Sequence, residues 1–157
     1  MSHKLTHIDE SGNAVMVDVS DKKVAARLAV ASGKVQFPES IFKTLSEQQF
    51  SGKKGSILQT AIIAGIQAVK KTSDLIPLCH QINLTKVHID IVPGVNELQL
   101  TCTVKCSEKT GVEMEALTGV SIASLTVYDM CKALSPDIVI TNVQLEKKTG
   151  GKNDFER

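Results

Sequence analysis

The chain has no tryptophan, one tyrosine and four phenylalanines, so aromatics are only 3% of its 157 residues. A sheet that binds RNA by stacking bases needs exposed rings, and a chain with Tyr128 as its sole tyrosine supplies too few. Charge excess is also missing. Eighteen Lys and Arg against 17 Asp and Glu give a net charge of +1, which argues against a general nucleic-acid binder and leaves room for a small anionic ligand. No apolar run is long enough to cross a bilayer, and Met1-Ser2-His3-Lys4-Leu5-Thr6-His7 lacks the apolar core of a signal peptide. A cytoplasmic protein with no membrane partner is expected. The four cysteines, Cys79, Cys102, Cys106 and Cys131, form no Cys-x-x-Cys, and three of them lie in apolar surroundings, as buried reduced thiols do. Cys102 and Cys106 would share a strand face but stand roughly 13 Å apart, too far to hold one metal ion, so no metal site is expected.

What is present reads as one α+β domain over residues 1–157, with 1–20 as an extended amino-terminal segment and 147–157 as a flexible tail. Arg27 to Phe37 is expected as a strand, followed by a short helix after Pro38. Gly52 to Gly55 is a polar hinge, and Ser56 can cap a helix running to about Asp74, ended by Pro77. From Leu84 to Val92, Val87, Ile89 and Ile91 alternate with His88 and Asp90, and Pro93-Gly94-Val95-Asn96 supplies a turn. Leu98, Leu100, Cys102, Val104 and Cys106 then face one way; a long helix and a final strand, Ile138 to Leu145, complete the order. Strand, helix, strand, strand, helix, strand predicts a ferredoxin-like fold: an antiparallel four-stranded sheet with helices on one face, plus the inserted helix after Pro38.

The long helix, reading from Lys109 to Lys132 without a proline, carries charge only at its ends. Ionisable groups on a buried helix are costly unless paired or used. Glu115 and Asp129, fourteen positions apart, fall within about 40° of one face, with Lys132 one turn beyond. Yet Glu113 and Asp129 would lie roughly 24 Å apart along the axis, so one straight helix cannot bring both ends to a small ligand and one site would need two subunits. The helix is apolar on nearly every side and is expected to be buried all round. Gly119, Ala123 and Ser124 would let it approach its mate across a two-fold axis. The bland reading is that Glu113 and Glu115 suit the positive helix start and Lys132 its negative end.

Two further segments carry chemistry. Lys54-Gly55-Ser56 could offer a lysine and free backbone N–H groups to a phosphate, although a solvated hinge has the same composition. His80 sits in the apolar segment Ile76 to Ile82, where it is either a satisfied core histidine or a proton shuttle. His3, His7 and His88 read as surface residues. Lys147-Lys148-Thr149-Gly150-Gly151-Lys152 suits either a flap over an anion or a frayed end.

Met16-Val17-Asp18-Val19-Ser20, the Lys54-Gly55 corner, Ile63-Ala64-Gly65-Ile66, Leu75-Ile76-Pro77-Leu78-Cys79-His80, Thr110 to Thr118 and Tyr128-Asp129-Met130-Cys131-Lys132 together resemble the MoaC family. These are the cyclic pyranopterin monophosphate synthases of molybdenum cofactor biosynthesis, and the likeness runs through almost the whole chain. It implies a lyase converting 3′,8-cyclo-7,8-dihydroguanosine 5′-triphosphate to cyclic pyranopterin monophosphate and pyrophosphate. It also implies a ferredoxin-like subunit, a homohexamer of three dimers, and active sites between subunits. The motifs carry the family's functional positions onto Asp18, Lys54, His80, Glu113, Glu115, Asp129 and Lys132, with Arg27 and Lys148 as substrate contacts and Cys79 and Met114 beside them. No redox cofactor is expected; a divalent ion accompanying the triphosphate is left open. The chain departs from the family pattern at Ser56, Gln81 and Asn153-Asp154. The competing class is a non-catalytic nucleotide-binding or interaction module on the same scaffold, which pyrophosphate release would exclude.

Overall fold

Period-two alternation places one side of three of the four long strands in a common core. The computed structural model, which describes residues 7–9, 11–53 and 55–157, contains β1 (Ala25–Gln36), β4 (Leu84–Pro93), β5 (Glu97–Glu108) and β6 (Val139–Thr149). Ala29, Ala31 and Val35 of β1, Ile89 and Ile91 of β4, and Leu98, Leu100, Cys102, Val104 and Cys106 of β5 are all buried. His88 and Asp90 between them are exposed, as their alternation requires. Between β1 and β4 lie α1 (Glu39–Glu47), the two-residue ladder of β2 (Ser51–Gly52) with β3 (Gly55–Ser56), α2 (Ile57–Lys70) and α3 (Thr72–Leu75). Helix α4 (Glu113–Cys131) joins β5 to β6, and β7 (Phe155–Glu156) follows.

The sheet order is β4-β5-β1-β6-β7, with every neighbouring pair antiparallel. Its four long strands have the ferredoxin-like order, and β7 adds a fifth short strand to the four expected. Residues 147–149, expected to begin an unpaired tail, instead continue β6: Lys148 stands opposite Ala29 and Thr149 opposite Leu28, while Phe155 and Glu156 pair back onto Lys148 and Lys147. Two lysines followed by two glycines look like a frayed end, but the ladder bonds that order the lysines come from β1, more than a hundred residues away.

Helix α2 starts where Ser56 was expected to cap it: the hydroxyl accepts from the Gln59 N–H. It ends at Lys70, short of Asp74, because α3 begins a separate turn after Lys71. Helix α4 packs on α2 and on the inner face of β1 and β5. Expectation and structure part here. The small residues of α4 serve a contact inside the chain: a Cβ added at Gly65 of α2 would stand 2.9 Å from the Gly119 carbonyl oxygen and 3.1 Å from the Ala123 methyl. Nor is α4 buried all round, since Leu125 is 53% exposed and Asp129 faces outward. The inserted α1 closes one end of the core through Phe42, whose ring lies 6.0 Å from Phe37 and 5.7 Å from Phe50.

Candidate active site

The start of α4, the end of β6 and the start of β1 meet at one end of the helix layer. Arg27 is locked there by two backbone acceptors, Nε donating to the Glu108 carbonyl at 3.2 Å and a terminal nitrogen to that of Lys109 at 3.3 Å. Lys148, aligned by pairing with Ala29, reaches Glu113 Oε1 at 3.3 Å. Gly111 makes room for this: a Cβ there would stand 3.0 Å from the same Oε1 and closer still to Oε2. Arg27, Glu113 and Lys148 line a cavity of about 460 Å³ together with Lys22, Lys109 and Lys152. Five cations against one carboxylate make this a surface for a polyanion.

A smaller cavity of about 180 Å³ shares Thr110, Gly111 and Glu113 with the first and is otherwise lined by His7, Leu78, Cys79, His80, Ile82, Met114 and Glu115. His80 is half-buried and its Nε2 lies 2.8 Å from the Val17 carbonyl oxygen. Glu115, only 4% exposed, has a carboxyl pushed up from the usual range, first by burial and further by the neighbouring Glu113 charge, while its own backbone N–H pulls it partly back. Burial also raises the Cys79 thiol, with Glu115 adding to it. Asp18 is the opposite case: exposed, and held low by the Ser20 hydroxyl and N–H, with Lys109 and His80 assisting.

Glu115 gives a pH prediction. A carboxyl whose pKa is higher folded than unfolded costs nothing when protonated in both states and destabilises the fold as pH rises through the folded pKa. Glu115→Gln, uncharged throughout, is therefore expected to match the native protein in acid and to gain unfolding midpoint relative to it as pH climbs above the ordinary glutamate range. A difference independent of pH would refute this assignment.

Asp129 and Lys132 lie at the far end of α4, paired at 2.6 Å and both well exposed. The Lys132 ammonium is held above its ordinary pKa, chiefly by hydrogen bonding to Asp129 and then by its charge. One chain thus gathers Asp18, Arg27, Cys79, His80, Glu113, Met114, Glu115 and Lys148 at one end and leaves Asp129 and Lys132 apart. Lys54 and His3 lie outside the described residues. Sequence reasoning overlooked Lys22, Lys109 and the placing of His7, which is exposed but faces the smaller cavity. Lys109, beside Thr110-Gly111 at the helix entrance, was the detectable one.

No helix among the described residues is long and apolar enough to cross a membrane. The MoaC family model matches residues 16–151. The chain is 50% identical to a cyclic pyranopterin monophosphate synthase of Xanthomonas campestris pv. campestris over 98% of its own length and 94% of that protein. Its identity to one from Helicobacter hepaticus is also 50%, over 98% of each chain. A Drosophila melanogaster protein named molybdenum cofactor biosynthesis protein 1 is 51% identical over 98% of this chain, which spans 27% of that longer polypeptide. A match that includes both ends of α4, the histidine segment and the cationic strand end, sustained at half identity nearly end to end, leaves one conclusion about descent: the chain belongs to the MoaC family.

Proposed function

We infer that the chain is a lyase that makes cyclic pyranopterin monophosphate in molybdenum cofactor biosynthesis, the activity named for its bacterial relatives. Its substrate is 3′,8-cyclo-7,8-dihydroguanosine 5′-triphosphate, which it rearranges with loss of pyrophosphate. The supporting observation is the joining of a cationic cavity to an acid-and-histidine pocket through Glu113, a layout that fits a triphosphate at one end and a nucleobase-derived ring at the other.

Opening the purine five-membered ring, building the pterin ring and closing the cyclic phosphate all need proton transfers, and none passes electrons to an external acceptor, so no redox cofactor is required. Arg27, Lys148 and Lys54 hold the triphosphate and stabilise charge on the departing pyrophosphate. Asp18, Cys79 and Met114 border the bound substrate. Glu113 and Glu115 share one short helix turn in unlike environments, one paired with Lys148 and half-exposed, the other buried and raised. Such a difference lets the two carboxyl groups take separate parts, which with His80 serve the ring and ribose protons.

Lys132, oriented by Asp129, is the principal acid/base group. An exposed ammonium with a raised pKa is a poor base near neutral pH, so it needs a second chain's cations and apolar surface around it. The working unit is accordingly an oligomer in which one chain's Asp129 and Lys132 complete the pocket of another, and the family resemblance implies a cytoplasmic hexamer of three dimers. The test is turnover of the cyclised triphosphate: pyrophosphate and a pterin product released in equal amounts support the reading. Tight binding without release would make the chain a nucleotide-binding module instead.

A further inference from the structure

Residues 16–24 run past the pocket without joining a strand. Their one local backbone bond is the turn from the Lys22 N–H to the Val19 carbonyl at 3.1 Å. Among the described residues, the segment is tied to the rest of the chain by side chains on either side of Asp18. His80 Nε2 meets the Val17 carbonyl at 2.8 Å, and Lys109 Nζ donates to the Ser20 carbonyl at 2.7 Å. Between these ties, Asp18 accepts from the Ser20 N–H at 2.8 Å and its hydroxyl at 2.6 Å, so the carboxylate cannot shift unless the turn shifts with it.

A carbonyl oxygen only accepts, so the ring nitrogen facing Val17 must carry a proton. We propose that His80 and Lys109 are positioning residues that fasten the 16–24 segment and so hold the Asp18 carboxylate beside the substrate pocket. His80 does this through Nε2–H, leaving Nδ1 as the ring atom through which it can exchange a proton. Lys109 uses one of its three donors on Ser20 and keeps two for the anion in the cavity it lines. The purpose assigned to the tie rests on the proposed function; the tie itself does not.

Two variants of His80 separate the ring atoms, because a glutamine amide nitrogen can occupy the place of Nε2 whereas an asparagine amide reaches only that of Nδ1. Hydrogen exchange at the Ser20 and Lys22 amides is expected to quicken roughly fivefold in His80→Asn and Lys109→Met, the worth of one ordinary hydrogen bond. It should stay near the native rate in His80→Gln and Lys109→Arg. Nitrogen-15 NMR of ring-labelled protein should show neutral His80 protonated on Nε2. In turnover, Lys109→Met should raise KM more than it lowers kcat, with Lys109→Arg restoring much of the loss. An Nδ1–H tautomer, equal exchange in the two His80 variants, or a raised KM with unchanged exchange in Lys109→Met would each overturn the proposal. If the His80 variants fail to fold, the Lys109 pair and the NMR of the native protein still decide. Exchange and NMR need no catalysis, so an inactive native protein with the expected protection would reject the function and leave the fastening intact.

Discussion

Lys132→Ala is expected to lower kcat by roughly 10²–10⁴-fold, the usual contribution of a positioned acid/base group. Its unfolding midpoint should barely move, because the ion pair with Asp129 is exposed and such pairs add little to stability. The combination is informative. If Lys132 merely complemented the negative end of α4, its removal would cost a little stability and no chemistry. Steady-state kinetics alongside a thermal melt distinguishes the two, and normal turnover in the purified variant would reject the assignment.

Gly119→Val should have the largest effect on the fold. A Cβ at Gly119 would stand 2.6 Å from Val69 Cγ2 and 2.8 Å from Cys102 Sγ, so the substitution drives α4 against both α2 and β5 where neither can yield. Overpacking of this kind costs about 1–3 kcal/mol, and the added branching places the expected loss at the upper end. Urea unfolding with an unchanged m-value would measure it. A loss under about 0.5 kcal/mol would mean that the two helices slide apart freely, contrary to the close crossing seen here.

The sequence disclosed what depends on neighbours along the chain. Alternation marked β4 and β5, Ser56 announced the start of α2, and the polar ends of a long apolar helix pointed to Glu113, Glu115, Asp129 and Lys132. The ferredoxin-like order followed because a sheet of these strands has few ways to bury one face. Long-range pairing was hidden. Lys147 to Thr149 looked like a tail until their register with Val30, Ala29 and Leu28 made them the far end of β6, which is also what brings Lys148 to Glu113. Gly119 and Ala123 were attributed to a contact between copies because nothing in their own helix says that Gly65 lies opposite. Lys109 was read only as the start of the helix and His7 only as a surface residue for the same reason: their importance comes from what folds against them, Ser20 in one case and the smaller cavity in the other.

The chain's geometry also sharpens the case for a shared pocket. Residues carried by four separate stretches of sequence converge near Glu113, while the Asp129 and Lys132 pair remains at the other end of a 19-residue helix, facing outward. At the α-helical rise, that separation is on the order of 24 Å between Glu113 and Asp129, too long for one small substrate to bridge within a single chain.

Co-expression of Glu113→Gln and Lys132→Ala chains, each inactive by itself, followed by turnover of the purified mixture is the most direct test. If the two ends of α4 meet across chains, random pairing should restore up to about a quarter of native activity, since half the pairs are mixed and each mixed pair rebuilds one of two sites. A mixture no more active than its parents would contradict the account.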